Sequence, residues 1–270
     1  MVETGAPNVL YSHGAAIKGA QPGAGENMIL RQEPFFTKHS PLEAYARNVT
    51  SQYGEDGIIA HVMKALKPTA PYCVEFGAWD GKLYSNCFNL LKGNGWSGLL
   101  IEASADKFVE LQATYADTPR VTLANRLVDI DGPNRLDALL REASAPQSFA
   151  LLSIDIDGND YYVWESLTDF TPELVVIEFN PSVPNDVVFV QDKSFDINQG
   201  CSLLALVQLG KRKGYKLAVC TACNAFLSGR TNSRCSALPT TPSTLFTRRR
   251  WMAASFRAST APFMWSAWIA

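Results

Sequence analysis

The sequence lacks any bias of charge: 24 Lys and Arg stand against 26 Asp and Glu, a formal net charge of −2. The two signs are mixed through most of the chain. That argues against a protein that holds nucleic acid or an anionic membrane by a basic face. No apolar run approaches the roughly 20 residues needed to cross a bilayer. No basic stretch followed by an apolar one marks a secretory signal at the start. A cytoplasmic protein without a membrane span is expected. Cysteine is sparse and scattered, the six being Cys73, Cys87, Cys201, Cys220, Cys223 and Cys235. Only Cys220-Thr221-Ala222-Cys223 has Cys-x-x-Cys spacing, and with no second pair and no nearby His it does not read as a zinc site. The thiols inside apolar runs read as small core residues of a reducing compartment. Also missing is a Gly-x-Gly-x-x-Gly loop, the fingerprint of dinucleotide binding.

What is present is a core-forming composition, 47% apolar, and a regular alternation of elements. Residues 1–40 are rich in Gly, Ala and Pro without a sustained period and read as a loosely ordered leader. Pro41 to Leu66 reads as a helix, with Ile58, Ile59, Val62, Met63 and Leu66 at helical spacing and Pro68 to end it. Short apolar strands then alternate with helices: strands at Tyr72–Phe76, Gly98–Glu102, Val121–Ala124, Phe149–Ile156, Leu174–Phe179 and Tyr215–Cys220. The helices fall at Ser85–Lys92, Ala105–Tyr115, Pro133–Ala143, Tyr161–Leu167 and Ser202–Lys213. Strands apolar almost throughout and separated by helices predict an α/β fold, a doubly wound, mostly parallel sheet covered on both faces. Residues 41–226 form that one domain.

In such sheets the ligand lies at the carboxyl ends of the strands, and the first strand-to-helix turn holds it. That turn follows Val74-Glu75-Phe76-Gly77-Ala78-Trp79-Asp80-Gly81. Gly77 and Gly81 let the backbone turn tightly and approach a ligand. Glu75 and Asp80 are acceptors, suited to a cationic amine and ribose hydroxyls and not to a diphosphate. The second strand ends in Glu102, placed to accept both hydrogen bonds of a ribose diol. Two acidic strand ends one strand-helix unit apart are what S-adenosylmethionine requires.

Several further stretches add to this. Ser51-Gln52-Tyr53-Gly54-Glu55-Asp56-Gly57, Val74–Gly81, Ser85-Asn86, Gly95-Trp96-Ser97-Gly98, Ile101-Glu102, Ser153–Asp160, Val176–Pro181 and Asn224-Ala225-Phe226 together resemble the FkbM-type methyltransferases, in a bacterial branch. The resemblance covers Ser51 to Phe226. It implies a Rossmann-like class I methyltransferase fold and transfer of the sulfonium methyl of S-adenosylmethionine, usually to a hydroxyl of a small-molecule or saccharide acceptor. Glu75, Gly77 and Gly81 would cradle the methionine end and Glu102 the ribose. Asn125 would lie near the adenine, and Gln52 and Glu55 would close over the cofactor.

Asp155, Asp157 and Asp160 follow the fourth strand, and Glu178 and Asn180 end the fifth. Neighbouring strand ends lie about 5 Å apart, so Asp155 and Glu178 are expected to converge as the catalytic pair. Three readings stand side by side. A carboxylate takes the acceptor's proton; or Asp155, Asp157, Glu178 and Asn180 hold Mg²⁺ or another hard cation that lowers the hydroxyl pKa; or Asp157 to Asp160 is turn and cap chemistry. Asp160 is assigned to the cap. His61 reads as a structural histidine on its helix, and Trp79 and Trp96 as core. Two alternatives keep the fold and change the function: a cofactor-binding protein impaired in turnover, and a nucleotide-sugar enzyme, the latter opposed by the absence of a phosphate loop. No nucleic-acid partner is expected, and nothing in the pattern specifies an oligomeric state.

Residues 227–270 are unlike the rest. They include Arg248-Arg249-Arg250-Trp251 and many Ser and Thr, without strand or helix period. Read one base out of register, codons compatible with Thr247–Ala270 give an alternating sequence, and Trp251-Met252-Ala253 is forced to Asp-Gly. Three readings stand for the tail: a basic-aromatic contact with nucleic acid or membrane, a disordered extension, and, the one preferred, an out-of-frame translation that cuts the last strand after Phe226. An intact frame shared by close relatives would refute this.

Overall fold

A computed structural model describes residues 40–229 of the chain; the leader and most of the 227–270 tail lie outside the described residues. Seven strands form one sheet: β1 (Tyr72–Phe76), β2 (Ser97–Glu102), β3 (Val121–Asn125), β4 (Ser148–Ile154), β5 (Thr171–Glu178), β6 (Tyr215–Cys220) and β7 (Asn224–Gly229). Their order is β3-β2-β1-β4-β5-β7-β6. β1 through β5 are parallel, and β7 enters antiparallel between β5 and β6. Five α-helices, α1 (Glu55–Leu66), α2 (Ala105–Tyr115), α3 (Leu136–Glu142), α4 (Asp160–Ser166) and α5 (Leu203–Lys213), cover the sheet.

Alternation along each strand sorts side chains to the two faces. Val74, Leu99, Ile101, Val175 and Ile177 join α3, α4 and α5 in one core, around fully buried Trp164. Cys73, Leu100, Leu174, Val176 and Phe226 join α1 and α2 in the other. Burial on both faces is why the strands read as unbroken apolar runs. The helix ends follow local chemistry. Ser104 and Ser202 cap α2 and α5 through side-chain bonds from the amides of Lys107 and Ala205, and Gly214 closes α5 at φ 83°. This strand order, with its single antiparallel insertion, is the Rossmann-like class I methyltransferase fold.

Three expectations are corrected. The helix over Pro41–Leu66 is broken into a 3₁₀ turn (Pro41–Tyr45), a loop, and α1. The loop exists because Asp56 Oδ2 accepts the amides of Val49, Thr50 and Ser51 at 2.7–2.8 Å. The helix over Ser85–Lys92 shrinks to one wide turn, Asn89–Gly93, because the amides just before it turn to side chains instead. The last strand does not stop at Phe226. Leu227 is fully buried, and Ser228 pairs with Leu174 and Lys216, so the sheet runs to Gly229.

Candidate functional site

The same alternation that builds the cores puts Glu75, Glu102, Asp155 and Glu178 on one face, that of α1 and α2. It does so by parity with Cys73, Leu100, Ser153 and Val176. All four lie at the carboxyl edge. They are not equivalent.

Glu75 is 4% exposed. Ser85 Oγ donates to its Oε2 at 2.5 Å and the Asn86 amide to its Oε1 at 2.8 Å, while Asn86 Nδ2 donates to Ser153 Oγ at 3.1 Å. Burial pushes its carboxyl up to about 6, against the opposing pull of these bonds. Glu75 thus fastens the β1 loop to the sheet, with the loop it was expected to serve wrapped onto its carboxylate. Glu102 is also buried, with Oε2 accepting the Trp79 amide at 2.8 Å and Oε1 the Ser104 amide at 2.7 Å. Each oxygen keeps a second lone pair. Asn125 Nδ2 donates to the carbonyls of Glu102 and Ala103, which leaves its oxygen as the free end.

Between them the β1 loop is built for close approach. Gly77 has φ +72°, and a Cβ there would sit 1.7 Å from the Asp155 carbonyl oxygen. Gly81 has φ +74° and abuts Leu111 and Tyr115 of α2. Trp79 takes the left-handed conformation at φ 52° without being glycine, a strained state that clusters at functional sites. Its ring lies 4.5 Å from Lys107 Nζ. Asp80 Oδ1 accepts the amides of Lys82 and Leu83 and shapes the turn.

Gln52 and Glu55 do not close over this loop together. Gln52 is exposed, and its carbonyl accepts from Asn48. Glu55 is fully buried; its Oε1 accepts Thr221 Oγ1 at 2.6 Å and Asn224 Nδ2 at 3.3 Å, and its Oε2 the Tyr53 amide at 2.6 Å. It ties α1 to the β6–β7 turn.

Past β4 and β5 the picture reverses. The carboxylates of Asp155, Asp157 and Glu178 each place an oxygen within 4.8 Å of the others. Among the described residues none of the three accepts a protein hydrogen bond or an ion pair. Asp155 and Asp157 are exposed and Glu178 is half-buried. Burial first, then the neighbouring carboxylates, push Asp155 and Glu178 well above the usual carboxylate range, and burial raises Asp157. Asp157 sits at φ 55°.

Asp160 is not one of this group. It is the first residue of α4 and not its cap, which is Asn159; it accepts the amides of Ile156 and Gly158 at 2.9 and 2.8 Å and so holds the turn before the helix. Asn180 is likewise spent: Nδ2 donates to the Gln199 carbonyl, and Oδ1 accepts the Ser182 amide at 2.9 Å. Those bonds occupy the oxygen that was expected to face a metal. His61 stacks on Tyr45 and takes no part.

Sequence reasoning missed Tyr53, Tyr84 and Cys223. Tyr53 is raised by burial and by the nearby Cys223, Glu55, Tyr84 and Glu178, which gathers these groups beside the carboxylates. The short polar pair Ser85-Asn86, ten residues past a strand-end acid, was the legible sign that Glu75 is tied inward. A separate concavity of about 390 Å³, lined by Arg141, Ser144 and Phe170 among others, lies at the amino ends of β4 and β5. Its Arg141 is paired with Asp169.

No protein-family model matches the chain, and no curated protein matches it in sequence. Among solved structures the chain is similar to the citrinin polyketide synthase CMeT domain (12% identity, TM-score 0.43, covering 64% of this chain and 50% of that one). It is also similar to an O-methyltransferase family protein from Burkholderia thailandensis (10%, 0.41, covering 66% and 59%). A third is the glycopeptide N-methyltransferase MtfA complexed with sinefungin (11%, 0.40, covering 65% and 93%). The chain spans half of the first of these and about three fifths of the second. Likenesses this distant add nothing to the strand order itself. Among the described residues no helix is long and apolar enough to cross a membrane.

Proposed function

We propose that the chain is an S-adenosylmethionine-dependent methyltransferase of FkbM type that methylates a hydroxyl of a small-molecule or saccharide acceptor. The observation that carries this reading is Glu102. Its carboxylate is fixed by two backbone amides at the end of β2, beside the strained Trp79 and the Cβ-free Gly77. Those residues fit the cofactor: Glu102 offers one lone pair per oxygen to a ribose diol, the Asn125 oxygen is left over for the base, and Gly77 lets backbone pass against backbone.

When bound, the cofactor supplies an activated methyl on a sulfonium. Glu102, Asn125 and the Gly77 loop would hold it, and it would supply the methyl for an acceptor oxygen placed in line with it. The protein's own part is placement and proton removal. Asp155 is the base nearest the cofactor loop, since its carbonyl lies against Gly77. Glu178 lies beside it, and each carboxylate raises the other's pKa, which favours one of them as a proton carrier. A second reading places a hard divalent cation on Asp155, Asp157 and Glu178, favoured by the 4.8 Å spacing of their oxygens.

Calorimetry with S-adenosylhomocysteine, followed by its release from S-adenosylmethionine over a panel of hydroxyl-bearing acceptors, tests the function. Saturable binding and turnover are expected. No heat at millimolar ligand sinks the reading.

A further inference from the structure

The acceptor's side of the cleft rests on the reading just given, and its chemistry is unusual in one respect: it has acceptors and almost no donors. The three carboxylates draw no protein hydrogen bond among the described residues. The described ion pairs commit Lys92, Lys107, Arg126, Arg135, Arg141 and Arg212 elsewhere. No cation figures among the groups that act on Glu178.

A second observation is independent of the acids. Asn224 stands directly opposite Glu178 in the β5–β7 register, so the two side chains leave the sheet on one face. It is 7% exposed, and its amide oxygen has no partner. Such an orphaned acceptor is costly unless something donates to it.

A third is apolar. The two loops that leave this edge carry exposed hydrophobic side chains. These are Leu83 and Tyr84 after β1, Tyr84 being 57% exposed, and Val187, Val188 and Phe195 after β5, Phe195 being 46% exposed. The β5 loop lies over the turn that holds Asp157: a Cβ at Gly158 would stand 2.9 Å from the Ile197 carbonyl.

We infer that the acceptor is an amphiphilic cation. Its ammonium group seats on Asp157 and Glu178, and its apolar body lies against Leu83, Tyr84 and Phe195. One occupant then accounts for both the donor deficit and the apolar rim. An ammonium has three N–H donors for an acidic floor, and aromatic faces favour a cation above them. A bare divalent ion accounts for the floor alone. Such an ion would complete its shell with water and leave the apolar side chains without a partner. The acidic floor and the apolar rim taken together therefore select the organic cation.

The test uses the full chain and two probes of equal size, 2-phenylethylammonium and 2-phenylethanol, titrated by calorimetry with S-adenosylhomocysteine present and absent. The ammonium is expected to bind at least about tenfold more tightly than the alcohol, as a charged hydrogen bond allows. Asp157→Asn should erase most of that preference, and Asn tolerates the left-handed backbone there. Glu178→Gln serves as the second variant, each checked for an unchanged melting transition. Equal binding of the two probes overturns the proposal. Saturable heat from magnesium chloride alone, lost in Asp157→Asn, with none from the amine, overturns it in favour of an ion site. Binding of S-adenosylhomocysteine without an amine preference defeats this inference only. An amine preference without such binding defeats the methyl-transfer reading and leaves the cation site standing.

Discussion

Two groups of carboxylates share one edge and one face of this sheet, and the chain treats them in opposite ways. Under β1 and β2, Glu75 and Glu102 are buried and every oxygen accepts a bond from a neighbouring loop. Past β4 and β5, Asp155, Asp157 and Glu178 gather within 4.8 Å without one among the described residues. The first pair organises backbone. The trio is left open to act on something else, as grouped carboxylates with raised pKa values do at functional sites. The difference teaches that an acid at a strand end is not a site by position. What counts is whether the local amides have already claimed it.

The hardest way to break the comparison is at the seam. Gly77 belongs to the first group's loop and lies against the Asp155 carbonyl of the second. Gly77→Ala puts a Cβ in the left-handed region, about 1–2 kcal/mol by itself, and forces backbone from backbone as well. At least about 3 kcal/mol of lost stability is expected, or roughly 6–12 °C in melting midpoint for a domain this size. Cofactor and acceptor binding should fail together. A variant that melts like the parent and binds S-adenosylhomocysteine normally would show that the seam is softer than drawn.

A gentler break separates the groups. Glu102→Gln keeps shape and removes charge, and S-adenosylhomocysteine affinity should fall about 10–100-fold, the loss of hydrogen bonds to a charged acceptor. Glu178→Gln should leave that affinity within about threefold while methyl transfer drops by about 10²-fold or more, the usual scale for a lost proton acceptor. Binding and turnover measured side by side decide it. If both variants damage the same quantity, the two groups form one site and not two.

How much of this was legible beforehand follows the same division. The parallel sheet was readable because burial on both faces writes unbroken apolar runs such as Leu174 to Ile177. Glu102 was readable because a strand end and a following Ser-capped helix are local. The partners of Glu55 and Glu75, Thr221 and Asn224 for one and Ser85-Asn86 for the other, were not legible because they are settled by tertiary packing or by a loop that abandons helix to serve them. The turn bonds of Asn180 were not legible because one Asn reads alike as ligand and as turn former. Asp155 and Glu178 were expected to converge from strand adjacency alone. Cys223 and Tyr53 left no trace in the pattern because they come from turns whose placement no period encodes.

The smallest effect is a pH dependence, and it carries a sign. Burial raises Glu75 from the ordinary carboxyl value of 4.5 to about 6. Asp155, Asp157, Asp160 and Glu178 are also raised, by burial first. A carboxyl whose pKa is higher folded than unfolded binds its proton more tightly in the native state. Its stabilisation is complete below the unfolded value and disappears as pH rises through the folded one. For Glu75 the 1.5-unit difference corresponds to about 2 kcal/mol lost between pH 4.5 and a little above 6. The melting midpoint should therefore fall by about 4–8 °C from this residue as pH climbs across that window. Most of the remaining decline at higher pH belongs to the bare trio. Glu75→Gln should remove the lower part of the slope, and Glu178→Gln part of the upper. Adding the cationic probe at pH 8 should recover some of what Asp157 and Glu178 lose there, because a bound ammonium replaces the proton as their counter-charge. A midpoint that stays flat from pH 5 to 8 would mean that the trio is better solvated than its crowding implies, and the contrast between the two groups would shrink accordingly.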